Sequence, residues 1–259
     1  MPPLVSILMP CRNSERWIRQ SILSVLEQSY SNFELIVVDD GSIDETKSIV
    51  QRFLNRDPRI VFISYKSPMG AAHARNLGLE KASGRFIAFL DSDDLWDPEK
   101  LQIQVDFMLD NDCKFSYTAY SRIKDDNTFI NLVEVPKELT KQDLLKTCYI
   151  GCLTAMYDTH YFGKVYMENI KRRQDYALWL KLLSDLPYAH GITHPLAKYR
   201  VHNLSLSSSK IRASYYSWVV YRKIERLSFL KSLYYFAHYS VKGVFRHHII
   251  KHIPSLNTE

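Results

Sequence analysis

The pattern that most narrows the fold of this chain is a recurrence of polarity. Four short apolar runs, Val5–Met9, Leu35–Val38, Ile60–Ser64 and Phe86–Leu90, each lead into or follow a longer amphipathic stretch. A run that is apolar throughout is buried on both faces, as the strands of a parallel sheet are, and amphipathic connections supply the covering helices. The pattern therefore predicts β-α units with helices near residues 14–28, 43–55 and 70–81. Ser42 followed by Glu45 predicts a capping box at the second helix. Asp97-Pro98 predicts a cap and a first-turn proline, opening a helix that runs to about Asn111. After residue 112 the pattern loosens into strands at Phe115–Ser121 and Phe129–Val135, a helix at Gln174–Ser184 and a strand at Leu196–Val201. The fold class is α/β.

Ligands of an open α/β sheet bind beyond the carboxyl ends of its strands. Pro10-Cys11-Arg12-Asn13, Asp39-Asp40-Gly41-Ser42 and Asp91-Ser92-Asp93-Asp94 stand at those ends. Five carboxylates thus gather at one edge, an arrangement that is costly without a cation or hydrogen-bond donors to neutralise it. The eight glycines are too scattered to form a dinucleotide fingerprint or a phosphate-cradling loop. A nucleotide held here needs another device. Mg²⁺ or Mn²⁺ bridging one or two carboxylates to a diphosphate supplies one, and Asp91 and Asp93 in a tight turn suit it.

Four ordered motifs resemble glycosyltransferase family 2. They are Val5-Ser6-Ile7-Leu8-Met9-Pro10 with Asn13, Phe33-Glu34-Leu35-Ile36-Val37-Val38-Asp39-Asp40-Gly41-Ser42, Ala74-Arg75-Asn76-Leu77-Gly78 and Phe89-Leu90-Asp91-Ser92-Asp93-Asp94. A weaker likeness continues through Gln174-Asp175-Tyr176 and Tyr199-Arg200-Val201-His202-Asn203-Leu204-Ser205, and the resemblance covers residues 4–207. It implies the GT-A fold, a Rossmann-like, mostly parallel sheet flanked by helices, with a nucleotide-sugar half at 1–111 and an acceptor half at 112–207. It implies an inverting transferase that moves a sugar from a nucleotide-sugar, expected to be a UDP-sugar, to a hydroxyl of a glycan or a polyprenyl-diphosphate-linked acceptor. Surface-polysaccharide assembly (O-antigen, capsule or exopolysaccharide) is the implied setting.

By the same resemblance, Pro10 and Asp40 face the nucleotide base, and Asn13, Asp39 and Ser92 join the donor site. Asp91 faces ribose or metal, Asp93 is the main metal ligand, and Arg75 steadies the acidic turn. Arg12 stands where the family carries an aromatic, and it is able to stack or to contact phosphate. Asp175 is the expected general base, and an N-cap reading of the same residue stays open beside it. His202 is either a satisfied histidine at a strand end or a further group at the diphosphate or metal. Trp96 and Trp179 read as core or acceptor-wall residues.

Net charge decides how the remainder is read. The chain of 259 residues carries +6, but residues 208–259 hold nine Lys/Arg against two acids, a net +7, which leaves the first 207 at −1. The basic pI is thus a property of the tail and does not advertise nucleic acid. Ten aromatics between Tyr215 and Phe245 and the scarcity of Gly and Pro predict a helical tail beginning near Ser207-Ser208-Ser209. Such a tail suits either peripheral contact with an anionic membrane or an amphipathic hairpin packed on the domain. No signal peptide or spanning helix is expected, and Cys11, Cys113, Cys148 and Cys152 read as reduced thiols of a cytoplasmic protein. Two other readings carry the acidic turn differently: a phosphohydrolase of the haloacid dehalogenase type, and a membrane-bound scaffold with a degenerate transferase fold. Against the first, three β-α units precede Asp91, and Leu95 stands where a Thr or Val belongs. Against the second, the Asp91/Asp93 pair is intact.

Overall fold

The computed structural model describes residues 2–202 and 210–250; the predicted boundary at Ser207–Ser209 and the Asn203-Leu204-Ser205 motif lie outside them. Ten strands form one sheet: β1 (Val5–Cys11), β2 (Phe33–Asp40), β3 (Ile60–Tyr65), β4 (Phe86–Phe89), β5 (Leu95–Trp96), β6 (Phe115–Ile123), β7 (Phe129–Val133), β8 (Glu138–Leu139), β9 (Met156–Asp158) and β10 (Ala189–Arg200). Its order is β3-β2-β1-β4-β9-β6-β10-β5, with β7 beside β6 and β8 beside β10. Strands β3, β2, β1 and β4 pair in parallel, and β9 runs antiparallel between β4 and β6.

Alternation along the strands assigns the two faces of this sheet. Val5, Ile7 and Met9 of β1, with Leu35 and Val37 of β2, pack on α1 (Ile18–Leu26), α2 (Thr46–Leu54) and α4 (Lys100–Asp110). Leu8, Ile36 and Val38 face the other way, toward α3 (Ala71–Lys81) and a larger cluster that includes α5 (Lys141–Lys146) and α7 (Gln174–Leu182). Trp179 is its centre, fully buried and stacked on Phe115. Trp96 is buried as well, with Nε1 donating to the Leu153 carbonyl at 2.8 Å. A short α6 (Thr159–Phe162) follows β9.

The tail is helical and packs on this second face. It comprises α8 (Lys210–Val219), a π-turn at Val220–Ile224 and α9 (Phe229–Ile250). Val220 and Tyr221 are fully buried, Tyr221 Oη donates to the Leu145 carbonyl at 2.7 Å, and Lys141 pairs with Glu225 at 2.6 Å.

Several expectations about element ends need correction. Strands β1 and β2 run further than their apolar runs, so Pro10, Asp39 and Asp40 belong to strand ends rather than to the loops beyond them. The Ser42/Glu45 capping box does not form. Helix α2 begins at Thr46, whose N–H is capped by Asp44 Oδ1 at 3.0 Å, while the Ser42 hydroxyl is taken by the Asn13 N–H at 2.9 Å. Helix α4 begins at Lys100 with Glu99 in the cap position and no side-chain capping bond, so Pro98 precedes the helix, and Asp97 accepts the Glu99 N–H at 3.2 Å in the turn before it. Strand β10 begins at Ala189, well before Leu196, with register shifts on either side of Pro195, where a residue without an N–H is tolerated in a strand.

Candidate active site

The ends of β1 and β2 are tied together by the acids and amides that the sequence singled out. Gly41 turns the chain at φ 73°, and a Cβ there would lie 3.1 Å from Pro68 N, so the turn needs glycine twice over. Asp39 is fully buried and accepts from the Ser42 N–H and from Ser64 Oγ at 3.0 Å, with Lys47 at 3.6 Å. Asp40 Oδ1 accepts the Met69 N–H at 2.6 Å and Oδ2 the Gly70 N–H at 2.9 Å, which fixes the loop entering α3. Each oxygen keeps a second lone pair, so Asp40 retains acceptor capacity for a ligand. Asn13, left-handed at φ 48°, accepts the Ile43 N–H at 3.0 Å through its side chain. Arg12 is exposed beside it, and Pro10 is buried within β1 opposite Val38.

The Asp91–Asp94 turn, between β4 and β5, is held from three directions. Arg75 of α3, 7% exposed, pairs with Asp91. Burial opposes the charge on its guanidinium, but Asp91, and more weakly Asp175, outweigh burial and hold it above its ordinary value. Burial pushes the Asp91 carboxyl up, with Asp93 and Asp175 adding to the push and Arg75 opposing it. Ser92 is anchored toward α1: its Oγ lies 2.8 Å from Ser14 Oγ, and its carbonyl accepts from Ser21 Oγ at 2.9 Å. Asp94 is buried, accepts the Arg200 N–H at 2.8 Å, and is pushed well up by burial and then by its neighbours Asp93 and Asp91.

Asp93 faces the end of β10. Its Oδ2 lies 2.7 Å from His202 Nε2, and the His202 ring stacks on Trp17 at 4.3 Å. Trp17 Nε1 in turn donates to Asp125 at 2.7 Å. The His202 Nδ1 atom is buried with no partner among the described residues. His202 thus contacts the expected metal ligand directly at the end of β10.

Asp175 stands in the first turn of α7, and the cap position belongs to Arg173, with no side-chain capping bond. The N-cap reading of Asp175 therefore does not describe the structure. Its charge is felt weakly at Arg75 and Asp91, so it lies within electrostatic reach of the acidic turn. Direct contacts join Arg75 to Asp91 and Asp93 to His202, while Arg12, Asn13, Asp39 and Asp40 stand at the ends of β1 and β2.

Three participants escaped the sequence reading. Arg200 is 1% exposed, and its guanidinium donates to the Asp93 carbonyl at 2.8 Å, the Lys124 and Asp125 carbonyls, Asn127 Oδ1 at 2.7 Å and Gln20 Oε1 at 3.1 Å. Its signal was a single arginine closing an otherwise β-forming run. Trp17, beneath His202, reads in sequence as one more apolar position of a helix. Tyr65 ends β3 opposite Asp40, and burial together with that carboxylate pushes its hydroxyl up. No apolar run or motif marks it.

A cleft of this kind suits a polyanion carried with a cation. Among the described residues no three His, Cys, Asp or Glu side chains converge into a metal cage. A hard cation that takes one or two protein carboxylates and completes its shell with phosphate oxygens needs no such cage. The side chains of Asp91 and Asp93, 32% and 26% exposed, fit that smaller demand.

Comparison with known proteins gives the family and the fold. Residues 6–166 match the model of Glycosyl transferase family 2. TuaG of Bacillus subtilis (strain 168), named as a teichuronic acid biosynthesis glycosyltransferase, is 44% identical over 243 residues, 93% of this chain and 96% of that protein. WfgD of Escherichia coli, named as a UDP-Glc:alpha-D-GlcNAc-diphosphoundecaprenol beta-1,3-glucosyltransferase, is 40% identical over 94% of this chain and 95% of its own length. Both alignments are longer than the 207 residues ahead of the tail, so part of the tail is shared with them. In fold, the chain is similar to S. aureus TarS crystallised with UDP-GlcNAc (TM-score 0.68, 20% identity, 85% of this chain) and spans 66% of that chain. It is also similar to a mannosyltransferase of Pyrobaculum calidifontis crystallised with GDP-Man and Mn²⁺ (TM-score 0.62, 20% identity, 88% of this chain and 66% of that one). These relatives are glycosyltransferases and not phosphohydrolases, and the sheet is that of the GT-A fold.

Proposed function

The chain belongs to glycosyl transferase family 2, and from that premise we propose that it transfers the sugar of a UDP-sugar, with inversion, to a hydroxyl of a polyprenyl-diphosphate-linked glycan. The observation that supports the reading is the Asp91-Ser92-Asp93 turn itself, with Arg75 paired to Asp91 and His202 Nε2 2.7 Å from Asp93 Oδ2. The names of WfgD and of the TarS complex support the donor, and that of WfgD supports the acceptor.

In this reading Asp40 and Tyr65 face the base, and Asp93, with Asp91 and His202 beside it, would hold Mn²⁺ or Mg²⁺, which would supply positive charge against the departing diphosphate. Asp175 takes the proton of the acceptor hydroxyl. The oxygen attacks the anomeric carbon from the face opposite the diphosphate, the new C–O bond forms as the bond to the diphosphate breaks, and configuration inverts. Arg75 opposes the upward push on Asp91 and aims its carboxylate. Arg200 holds the Asp93 backbone, so the ligand carboxylate does not drift with the loop.

The tail supports the place of work. Phe229, Leu230, Leu233 and Tyr234, 58%, 76%, 48% and 53% exposed, share one stripe of α9, and Arg222, Lys223, Arg226 and Lys231 are exposed around it. No described helix is long and apolar enough to cross a membrane. An apolar stripe framed by cations suits peripheral contact with an anionic leaflet, the cytoplasmic face on which a lipid-linked acceptor is presented.

The donor is tested by thermal shift against UDP-, GDP- and dTDP-sugars with and without Mn²⁺, since a ligand of the native state alone raises its stability. A Mn²⁺-dependent shift for UDP-sugars is expected. A shift confined to another base, or none that needs the cation, would overturn the assignment.

A further inference from the structure

The residue ahead of the Asp175 helix has a conformation that its own sequence does not favour. Arg173, the cap residue of α7, is left-handed at φ 65° and ψ 22°. Arginine gains nothing from that region, because its Cβ is crowded against the backbone and its side chain makes no short turn bond as Asn or Asp does. It provides no capping oxygen either. Something outside the turn must therefore hold it.

The holder is the C-terminal helix. The Arg173 guanidinium donates to Tyr239 Oη of α9 and lies over two aromatic rings, 5.3 Å from the centroid of Tyr239 and 5.9 Å from that of Tyr176. Tyr176 Oη donates to Tyr221 Oη at 3.5 Å and to the Leu144 carbonyl at 3.2 Å, which joins the π-turn of the tail to the same cluster. Tyr221 and the Lys141–Glu225 pair fasten that part of the tail to α5. The first helical bond of α7, from the Ala177 N–H to the Arg173 carbonyl at 3.0 Å, starts at the strained residue. The direction in which α7 sets out, and with it the aim of Asp175 two residues on, is fixed by where Arg173 is held.

We propose that Arg173 is a positioning residue through which the C-terminal helix, by way of Tyr239, sets the aim of Asp175. The inference rests on the assignment of Asp175 as the base. It makes the tail part of the catalytic apparatus as well as a surface for docking. It also gives a reason why relatives share the chain beyond the family match at residue 166.

The test compares Tyr239→Phe, Arg173→Ala, their double variant and Asp175→Asn in the full chain, measuring sugar transfer, the KM of donor and acceptor, and thermal stability. Tyr239→Phe removes one hydroxyl and keeps the ring. A mis-aimed base should lower kcat about tenfold in either single variant while both KM values stay within about twofold. Because the two residues act as one link, the double variant should be no slower than Arg173→Ala alone. Arg173→Gly separates the link from backbone strain: glycine accepts the left-handed turn, so it should be as stable as the parent and as slow as Arg173→Ala. Parental kcat in folded Arg173→Ala and Tyr239→Phe, with Asp175→Asn inactive, would overturn the link and leave the base assignment standing. A rise in KM at unchanged kcat would overturn it as well. Full activity in Asp175→Asn would overturn both.

Discussion

The two sides of the proposed site are built in different ways. On the side proposed to hold the donor, β1, β2 and β4 are parallel neighbours, and each delivers its candidate residues directly at a strand end: Pro10 to Asn13, Asp39 to Ser42, Asp91 to Asp94. On the side proposed to face the acceptor, groups distant in sequence are gathered one at a time. Asp93 meets His202, His202 rests on Trp17, Arg200 reaches Gln20 and the loop at 124–127, and Arg173 is held by Tyr239. The donor side is thus a property of short segments and the other a property of the finished fold. Each predicts a different response to mutation.

The largest effect should fall on Asp175, where only the chemical step is touched. Asp175→Asn should lower transfer about 10²- to 10⁴-fold, the usual worth of a general base, with donor binding preserved in a titration with UDP-sugar. Retention of most of the rate would remove the base from the acceptor side and break the comparison at its centre. Arg200→Met comes next. It strips five acceptors of a buried cation, including the Asp93 carbonyl, and should cost about 3 kcal/mol in a denaturant melt. A change within about 0.5 kcal/mol would mean that the acceptor side is not held together from afar.

Much of the donor side was legible in the sequence because its causes are local. At Asp39-Asp40-Gly41 an apolar strand, two successive acids and a turn glycine stand together, and at Asp91-Ser92-Asp93 an apolar strand runs straight into two acids one residue apart. Even there the detail differed. Ser42 was read as a helix cap by its spacing from Glu45, yet its hydroxyl serves Asn13, because two loops that meet at a sheet edge compete for the same donor and acceptor groups. Arg200 shows in the sequence only as one position of a motif and Tyr65 shows no pattern, since what makes each notable is a partner reached only by folding. Asp175 was ambiguous in sequence for a related reason. A carboxylate in a first helical turn satisfies a cap rule, and only the position of Arg173 shows that the cap is elsewhere.

Two smaller effects sharpen the contrast at its margins. Replacing Phe229, Leu230 and Leu233 by Ser should cut recovery on anionic vesicles in flotation about tenfold or more, at roughly 1.5 kcal/mol per removed apolar side chain, with transfer to a soluble acceptor analogue unchanged. Equal recovery on vesicles would confine the tail to its packing role. Lys100, under the Trp96 ring at 4.1 Å and bonded to Gln104 Oε1 at 2.6 Å, is pushed down by burial to about 7. Between that value and the ordinary one near 10.4 the unfolded chain binds the extra proton, so this group makes stability rise with pH, by at most about 1.4 kcal/mol per pH unit. Lys100→Met should flatten that rise, measured as the difference between the two proteins in urea melts from pH 7 to about 9. An identical slope in both would show that Lys100 stays charged.

The central claim is that the Asp91-Ser92-Asp93 turn holds the donor diphosphate through a divalent cation. Calorimetric titration of the UDP-sugar with Mn²⁺ and with chelator, on the parent chain and Asp93→Ala, tests it most directly. The account predicts Mn²⁺-dependent binding in the parent and its loss, together with transfer, in Asp93→Ala; undiminished Mn²⁺-dependent binding and transfer in that variant would contradict it.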